Sequence, residues 1–242
     1  MSRDWYAFKK GQDRVYDIIR SKRAQLYKHG TSTDTTWLAR RGTFSVALLP
    51  SARIATHLAS ASHDLASHTS AVVYEREHLH TTLVSLPFQE HFLYREDDAR
   101  QNNILRTLTR VAQSVVSEFG TTPCPIRYDS YLLGPEAVVA EGQPTERYEQ
   151  LVSLLHARCA DEGLPVKKCW GSHITMSRFT ESRRPDDIES VLGLLDVLKS
   201  PVLSLSRQVA VGYSLWGSPT TRESVLEYNG HFKSFVRIPF RI

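Results

Sequence analysis

The stretch Trp170-Gly171-Ser172-His173-Ile174-Thr175-Met176-Ser177-Arg178-Phe179 decides how this chain is interpreted. A similar run, Glu77-His78-Leu79-His80-Thr81-Thr82-Leu83-Val84-Ser85-Leu86, lies in the first half of the chain. Each contains His-x-Thr within a segment rich in β-branched and large apolar residues, which is typical of a β-strand. Because residues i and i+2 of a strand point to the same face, we expect each histidine to project beside its threonine.

An imidazole beside a hydroxyl, supplied twice, suits chemistry at a phosphate group. One histidine can accept a proton while the other donates one, and two hydroxyls can hold the non-bridging phosphate oxygens. A third match, His29-Gly30-Thr31, lies among residues of loop composition without apolar alternation, so we exclude it. The predicted catalytic residues are therefore His80, Thr82, His173 and Thr175.

The two motifs and their surroundings resemble the two-histidine (2H) phosphoesterase superfamily. The apolar strand Phe44–Pro50, a helix and then the His80 motif are similar to the first half of such proteins. The run Ser172–Phe179 is similar to the His-x-Thr-hydrophobic-x-Arg signature of the 2′-5′ RNA ligase-like and cyclic phosphodiesterase branch. The resemblance covers roughly residues 43–242.

This resemblance implies a particular architecture, whereas the pattern of helices and strands alone supports only a mixed α and β fold. The implied fold is α+β, with two lobes related by a pseudo-twofold axis. Each lobe would contain an antiparallel-rich sheet with outer helices, and the two lobes would flank a central cleft. We expect a helical arm at residues 1–42 and a bilobal domain at 43–242. The lobes would lie roughly at 43–120 and 121–242, with strand exchange between them allowed.

Hydrophobic periodicity and capping residues predict the individual elements. The predicted helices are 13–28, 52–68, 97–119, 145–161 and 185–198. The predicted strands are 43–49, 71–74, 77–86, 125–133, 137–141, 166–179, 202–213, 223–228 and 235–240.

Five further side chains are candidates for substrate binding. Arg178 follows His173 by five positions, so a regular strand would turn it to the opposite face, whereas the resemblance implies a role near the phosphate. Tyr131, Trp170 and Tyr213 lie near strand ends, where an aromatic ring could stack on a nucleobase. Trp216 shares that position. The alternative for each aromatic residue is packing in the core or at the rim.

Composition limits the class of protein and of site. Charged residues make up 23% of the chain and hydrophobic residues 41%, as in ordinary globular proteins. The net charge of +4 favours a phosphate-bearing partner without identifying it. The three cysteines form no Cys-x-x-Cys, which favours a reducing compartment and disfavours a cysteine zinc site. No His-x-x-x-His spacing occurs, so we expect no metal and no cofactor.

The location of the protein follows from two absences in the sequence. No apolar run approaches 18 residues, and the first residues lack the apolar segment of a secretory signal. We therefore expect a cytoplasmic or nuclear protein without a membrane span, and we expect a monomer.

The sequence thus predicts a metal-independent phosphodiesterase that acts on RNA ends or oligonucleotides by acid–base catalysis with paired histidines. The substrate would be a 2′,3′-cyclic phosphate or a 2′-5′ or 3′-5′ linkage, so RNA, an oligonucleotide or a cyclic nucleotide is the expected partner. One alternative is a non-catalytic RNA- or nucleotide-binding module. The other is a metal-dependent hydrolase, which is disfavoured because no carboxylate accompanies the histidines.

Overall fold

The computed structural model of the chain describes residues 2–33, 41–90, 94–120, 123–198, 202–216 and 229–240. Its helices are α1 (Arg3–Ser21), α2 (Arg23–His29), α3 (Ala52–His68), α4 (Ala99–Phe119), α5 (Glu146–Asp161) and α6 (Pro185–Leu198). Its strands are β1 (Arg41–Leu49), β2 (Thr81–Ser85), β3 (Gln89–Glu90), β4 (Cys124–Leu133), β5 (Ala137–Pro144), β6 (Lys167–Lys168), β7 (His173–Arg178), β8 (Val202–Ser206), β9 (Gln208–Trp216) and β10 (Asn229–Pro239).

These elements build two antiparallel sheets, which confirms the predicted α+β class. The first sheet has the order β10-β9-β1-β2-β6, with β3 also paired to β1. The second sheet has the order β7-β5-β4-β8. Strands from the second half of the chain therefore contribute to both sheets. The chain enters the second sheet before β4 and again before β7, and it returns to the first sheet before β6 and before β9.

Strand β1 lies in the interior of the first sheet and is mostly apolar, with Thr43 and Ser45 as the polar residues of its buried part. It pairs with β2 on one side and with β9 on the other, and residues 42–48 are all buried. A strand that is buried on both faces is expected to be continuously apolar. Phe44, Val46 and Leu48 belong to the main core, which also includes the buried face of α4.

The helices begin and end where local chemistry predicts. The observed bounds of α3 are the predicted ones. Helix α4 begins after Asp98, whose carboxylate accepts hydrogen bonds from the amides of Arg100 and Gln101. It ends at Gly120, whose φ of 82° lies in the left-handed region that favours glycine.

Several predicted elements are wrong in their extent. The expected strand 166–179 is two strands, β6 and β7, because the four residues between them change sheets. The expected strand 202–213 is also divided, at Arg207, between the two sheets. The segment 71–74 forms only an isolated bridge between Ala71 and Phe179.

Further differences concern the remaining predicted segments. The motif strand expected at 77–86 is ordered as a strand only from Thr81. The helix expected at 13–28 consists of the separate helices α1 and α2. The strand expected at 223–228 lies outside the described residues. Among the residues that are described, no helix combines the length and the apolarity needed to cross a bilayer.

Candidate active site

The two His-x-Thr motifs meet where the two sheets contact each other through β2 and β7. His80 immediately precedes β2, and His173 is the first residue of β7. Burial lowers the pKa of both histidines, and the positive charge of Arg178 lowers both further. The His80 imidazole also lowers the pKa of His173. The two motifs therefore share one electrostatic environment.

A β-bulge in β7 decides where Arg178 points. Thr175 pairs with Val139 of β5, but the neighbouring Val138 pairs with Ser177, so Met176 is an extra residue. An extra residue reverses the alternation of faces beyond it. Arg178 therefore returns to the face that carries His173 and Thr175. In a regular strand the Arg178 side chain would point to the face opposite His173. The bulge places both side chains on the same face.

Strand β2 has a bulge at the equivalent position. Thr82 pairs with Ala47 of β1, while Val84 pairs with Val46, so Leu83 is the extra residue. Ser85 consequently returns to the face of Thr82, as Arg178 does to the face of Thr175. The two motifs are thus alike in backbone but differ in charge, because one ends in an arginine and the other in a serine.

The ring of His80 is oriented by the chain immediately before it. Its Nδ1 donates a hydrogen bond of 2.8 Å to the carbonyl of His78. Because a carbonyl can only accept, the neutral ring carries its proton on Nδ1 and leaves the Nε2 lone pair available. Burial lowers the pKa of His80 to about 4, although the His78 carbonyl opposes the shift. The ring also packs against Phe232, at 4.5 Å between centroids.

A second pair of histidines supports the carbonyl that orients His80. The rings of His78 and His231 stack at 3.8 Å with an interplanar angle of 15°. His231 Nε2 donates to the carbonyl of Val73 at 2.9 Å, and the ring meets Tyr74 edge-on at 5.0 Å. Burial lowers the pKa of His231 to about 4. This neutral stack joins β10 to the segment that precedes β2.

His173 is held differently. Its ring stacks on the indole of Trp170 at 4.1 Å and 14°, and its buried Nδ1 forms no hydrogen bond within the described part of the chain. Burial lowers the pKa of His173 to about 4. The Gly171 carbonyl favours the protonated ring without reaching hydrogen-bond geometry. An aromatic surface, not a fixed acceptor, therefore orients this imidazole.

The backbone beside both motifs is joined by a buried tyrosine. Tyr148 of α5 donates to the carbonyl of Thr82 at 3.0 Å and lies 3.5 Å from the carbonyl of Gly171. The hydroxyls of Thr82 and Thr175 make no hydrogen bond to any described residue. Both hydroxyls are therefore available to a ligand, while the backbone that carries Thr82 is fixed.

Helix α1 fixes the segment that leads into His173. The side chain of Gln12, which is fully buried, accepts from the amide of Ser172 at 2.8 Å and donates to the carbonyl of Gly142 at 3.1 Å. Tyr16 contacts the carbonyls of Gly142 and Ser172 and meets the indole of Trp170 edge-on at 5.5 Å. A side chain at Gly142 would collide with the Ser172 carbonyl, since its Cβ would lie 1.7 Å away.

Tyr131 is not brought to the histidines. It pairs with Ala140, which pairs with Ile174, and paired residues of antiparallel strands share a face. Ile174 faces away from His173, so Tyr131 lies on the opposite face of the second sheet. Its hydroxyl is 2.9 Å from Nε2 of His57 on α3.

Tyr213 also lies on the face away from the motifs. It pairs with Phe44, whereas Thr82 pairs with Ala47, which is three residues further along β1 and on the other face. Its ring stacks on Tyr94 at 4.2 Å. Of the predicted aromatic residues, Trp170 alone is placed beside a motif histidine by the described structure. The side chain of Trp216 lies outside the described part.

The residues that sequence reasoning missed share a cause. Ser85, Phe232, His231, Tyr148 and Gln12 each reach the site through a bulge or a long-range contact. For His231 alone the sequence offers a signal, because its stacking partner His78 occurs two positions before His80. Within the described ranges, no three His, Cys, Asp or Glu side chains are grouped so that they could hold a metal ion.

Solved structures show which fold this is. The chain is similar to the apo form of LigT from E. coli, at 15% identity over 84% of this chain and 99% of LigT, with a TM-score of 0.50. LigT complexed with 3′-AMP matches at 16% identity over 84% and 99% of the two chains, with a TM-score of 0.48. A protein from Thermus thermophilus matches at 16% over 82% and 98%, with a TM-score of 0.45.

No protein-family model and no curated protein matches the chain. The chain therefore has the fold of LigT, and its two antiparallel sheets with flanking helices agree with the α+β class that the sequence resemblance implied.

Proposed function

We propose that this protein is a metal-independent phosphodiesterase acting on RNA ends or oligonucleotides. The observation that carries the proposal is the pair of bulged strands. Each strand presents a histidine and a threonine on one face, and the positive charge of Arg178 lowers the pKa of both histidines. A phosphate between the strands would meet two imidazoles that can accept and donate protons, and two hydroxyls and one guanidinium that can stabilise negative charge on its oxygens in the transition state.

On a 2′,3′-cyclic phosphate, the proposed reaction is hydrolysis. His80 Nε2 accepts a proton from water as the new water-oxygen-to-phosphorus bond forms. The bond from phosphorus to one ribose oxygen breaks, and His173 donates a proton to that leaving oxygen. Thr82, Thr175 and Arg178 stabilise the charge on the non-bridging oxygens.

The division of roles rests on the hydrogen bond from His80 Nδ1 to the His78 carbonyl. That bond leaves the Nε2 lone pair of His80 ready to accept a proton. His173 has no such fixed acceptor among the described residues, and it must be charged to act as the acid. A bound phosphate supplies the negative charge that raises its pKa from the low value of the free protein.

The substrate class is tested with 2′,3′-cyclic nucleotides, 2′-5′ and 3′-5′ oligonucleotides and cyclic dinucleotides, with products identified by mass spectrometry. We expect turnover of at least one RNA-type phosphodiester, at an unchanged rate in excess EDTA. Turnover that EDTA abolishes would instead support the metal-dependent alternative. Binding without turnover, retained when both histidines are replaced, would support the non-catalytic alternative.

The assignment of acid and base is tested with a ribonucleoside 3′-(4-nitrophenyl) phosphate. In that substrate the ribose 2′-hydroxyl is the nucleophile, and the nitrophenolate leaves without needing a proton. Attack by the 2′-hydroxyl runs opposite to opening of the cyclic phosphate, so His173, which donates to the ribose oxygen in hydrolysis, accepts the 2′-hydroxyl proton here, and His80 protonates the leaving oxygen of a 3′-5′ linkage. We expect His80→Ala to lose much less activity on the nitrophenyl substrate than on a 3′-5′ linkage, whereas His173→Ala loses activity on both. Equal losses for the two variants on both substrates would refute the assignment.

A further inference from the structure

A second pocket opens at the end of the first sheet, and the reaction described above does not use it. Its volume is about 700 Å³. It lies between the C-terminal end of β1, the first turn of α3, strand β8, the start of β9 and the loop that precedes His80. Its lining includes Leu49, Leu79, Leu203, Leu205, Arg76, Glu77, Arg207 and Arg237.

The charge of this pocket is strongly positive. Among the described lining residues, Glu77 is the one carboxylate and faces three arginines. The side chains of Arg207 and Arg237 are exposed, and neither forms an ion pair with any described residue. With the residues that the structure describes, Arg76 makes one side-chain hydrogen bond, a long one of 3.4 Å to the hydroxyl of Thr56. Arginines that converge on one concavity without ion-pair partners favour a ligand with several negative charges.

One arginine of the pocket lies on the same face of the first sheet as Thr82. Thr82 pairs with Ala47, Ala47 with Ala210, and Ala210 with Arg237. Because paired residues share a face, Arg237 lies on the same face of the sheet as Thr82. Three strand spacings of about 4.8 Å place their backbones roughly 14 Å apart.

The two places are also joined by packing. Leu49, which lines the pocket, packs against a small cluster of Ala47, Ala210 and Phe232. Phe232 in turn contacts the ring of His80. On the other side, Leu79 lines the pocket and directly precedes His80 in the chain. The histidines and the arginine pocket are therefore linked by buried side chains that pack between them.

The pocket also offers apolar contact. Leu203 and Leu205 of β8 are 55% and 43% exposed, which is unusual for leucines in a strand. They stand beside the arginines without covering them. A ligand that presents flat apolar rings as well as phosphates satisfies both features, and single-stranded RNA is such a ligand.

We infer that the Arg76, Arg207 and Arg237 pocket binds a second phosphate and its nucleoside, so that the protein acts on oligonucleotides in preference to mononucleotides. The inference rests on the proposed phosphodiesterase function for its catalytic part. The roughly 14 Å from Thr82 to Arg237 lies beyond the single phosphate of a mononucleotide held between the histidines, and an oligonucleotide can span it.

The experiment compares Arg207→Glu/Arg237→Glu with the wild type on two substrates. One is a nucleoside 2′,3′-cyclic phosphate, and the other is a four-nucleotide RNA that ends in the same group. We expect wild-type kcat/KM to be at least about tenfold higher on the RNA, and the double variant to lose that preference with its mononucleotide rate unchanged. Arg106→Glu, an arginine of α4 outside the pocket, is the matched control and should behave as the wild type.

A binding measurement makes the inference independent of turnover. A fluorescent four-nucleotide RNA with a 3′-phosphate should bind wild type at least about tenfold more tightly than the double variant. Loss of one neutralised phosphate should also reduce the slope of log K against log salt by about 0.7. An unchanged affinity and slope, or equal wild-type rates on both substrates, would overturn the inference. If the RNA binds as expected but nothing is cleaved, the pocket is correct and the proposed catalytic function is wrong.

Discussion

The indole of Trp170 lies parallel to the imidazole of His173, with 4.1 Å between centroids and 14° between planes. The His80 ring is oriented by a hydrogen bond from its Nδ1 to the His78 carbonyl. The buried Nδ1 of His173 has no hydrogen-bond partner among the described residues, so the stack on Trp170 orients that ring instead. Trp170 remains 38% exposed, so it serves the site without being part of the hydrophobic core.

Replacing Trp170 should therefore affect the rate more than the fold. We expect Trp170→Ala to lower kcat about tenfold or more, since His173 loses the surface that fixes its ring plane. Trp170→Phe should retain most activity because it keeps a flat ring. Steady-state kinetics with circular dichroism provide the measurement. A large rise in KM with unchanged kcat would instead show that Trp170 binds substrate without positioning His173.

Loss of either motif histidine should nearly abolish turnover. A single proton transfer contributes about 10²–10⁴-fold, so His80→Ala and His173→Ala should each lose at least that factor on an unactivated substrate. The double variant should be little worse than the worse single variant, because the two residues act as a unit. His63→Ala, an exposed histidine of α3, is the control. Additive losses would argue against paired action.

The threonine hydroxyls should matter for the transition state. Thr82→Val and Thr175→Val preserve shape and remove the hydroxyl, and we expect each to lower kcat by about 10²-fold. KM should change little if the contact strengthens as charge develops on the phosphate. Unaltered kcat in both variants would remove the threonines from the mechanism.

Stability should fall as the pH is lowered through the histidine range. An unfolded histidine takes up its proton near about pH 6.5, whereas burial lowers the pKa of His80, His173 and His231 to about 4. Between these values the unfolded chain binds more protons, so the free energy of unfolding decreases from about pH 6.5 towards about pH 4. Above about pH 7 these histidines are neutral in both states, so their titration no longer changes the free energy of unfolding.

Urea midpoints at several pH values measure this dependence. His231→Phe keeps the stack on His78 and removes one titrating group, so its slope should be shallower than that of the wild type. Saturating phosphate should raise the wild-type midpoint and flatten its slope, because a bound anion favours protonated histidines. Identical slopes for His231→Phe and the wild type would show that His231 titrates normally in the folded protein.

The hydrogen bonds of Gln12 should stabilise the folded protein and the site together. Gln12→Met leaves the amide of Ser172 without its buried partner and removes one of the two hydrogen bonds to the carbonyl of Gly142, which Tyr16 still contacts. The unsatisfied amide costs about 1–3 kcal/mol and the lost hydrogen bond to the carbonyl about 0.5–1.5 kcal/mol, so we expect a destabilisation of roughly 2–4 kcal/mol in urea unfolding, together with lower kcat. Gln25→Met, at an exposed position of α2, should change neither. A stable Gln12→Met variant of full activity would contradict this role for α1.

Much of the fold and part of the site could be predicted from local pattern. The bounds of α3 follow from the helical periodicity of its apolar residues. The interior position of β1 follows from its mostly apolar sequence. Each pattern involves only residues that are close in sequence. The pairing of each histidine with its threonine follows from the two-residue repeat of a strand.

The tertiary structure decided everything that depends on a partner strand. The sequence determined that His173 and Thr175 share a face, but the position of Arg178 required the bulge at Met176, which exists only relative to β5. The faces of Tyr131 and Tyr213 were likewise set by register with neighbouring strands. Gln12 meets Gly142 across 130 positions of sequence. Local periodicity carries no information about such pairings, since it describes how one segment is buried and not which segment buries it.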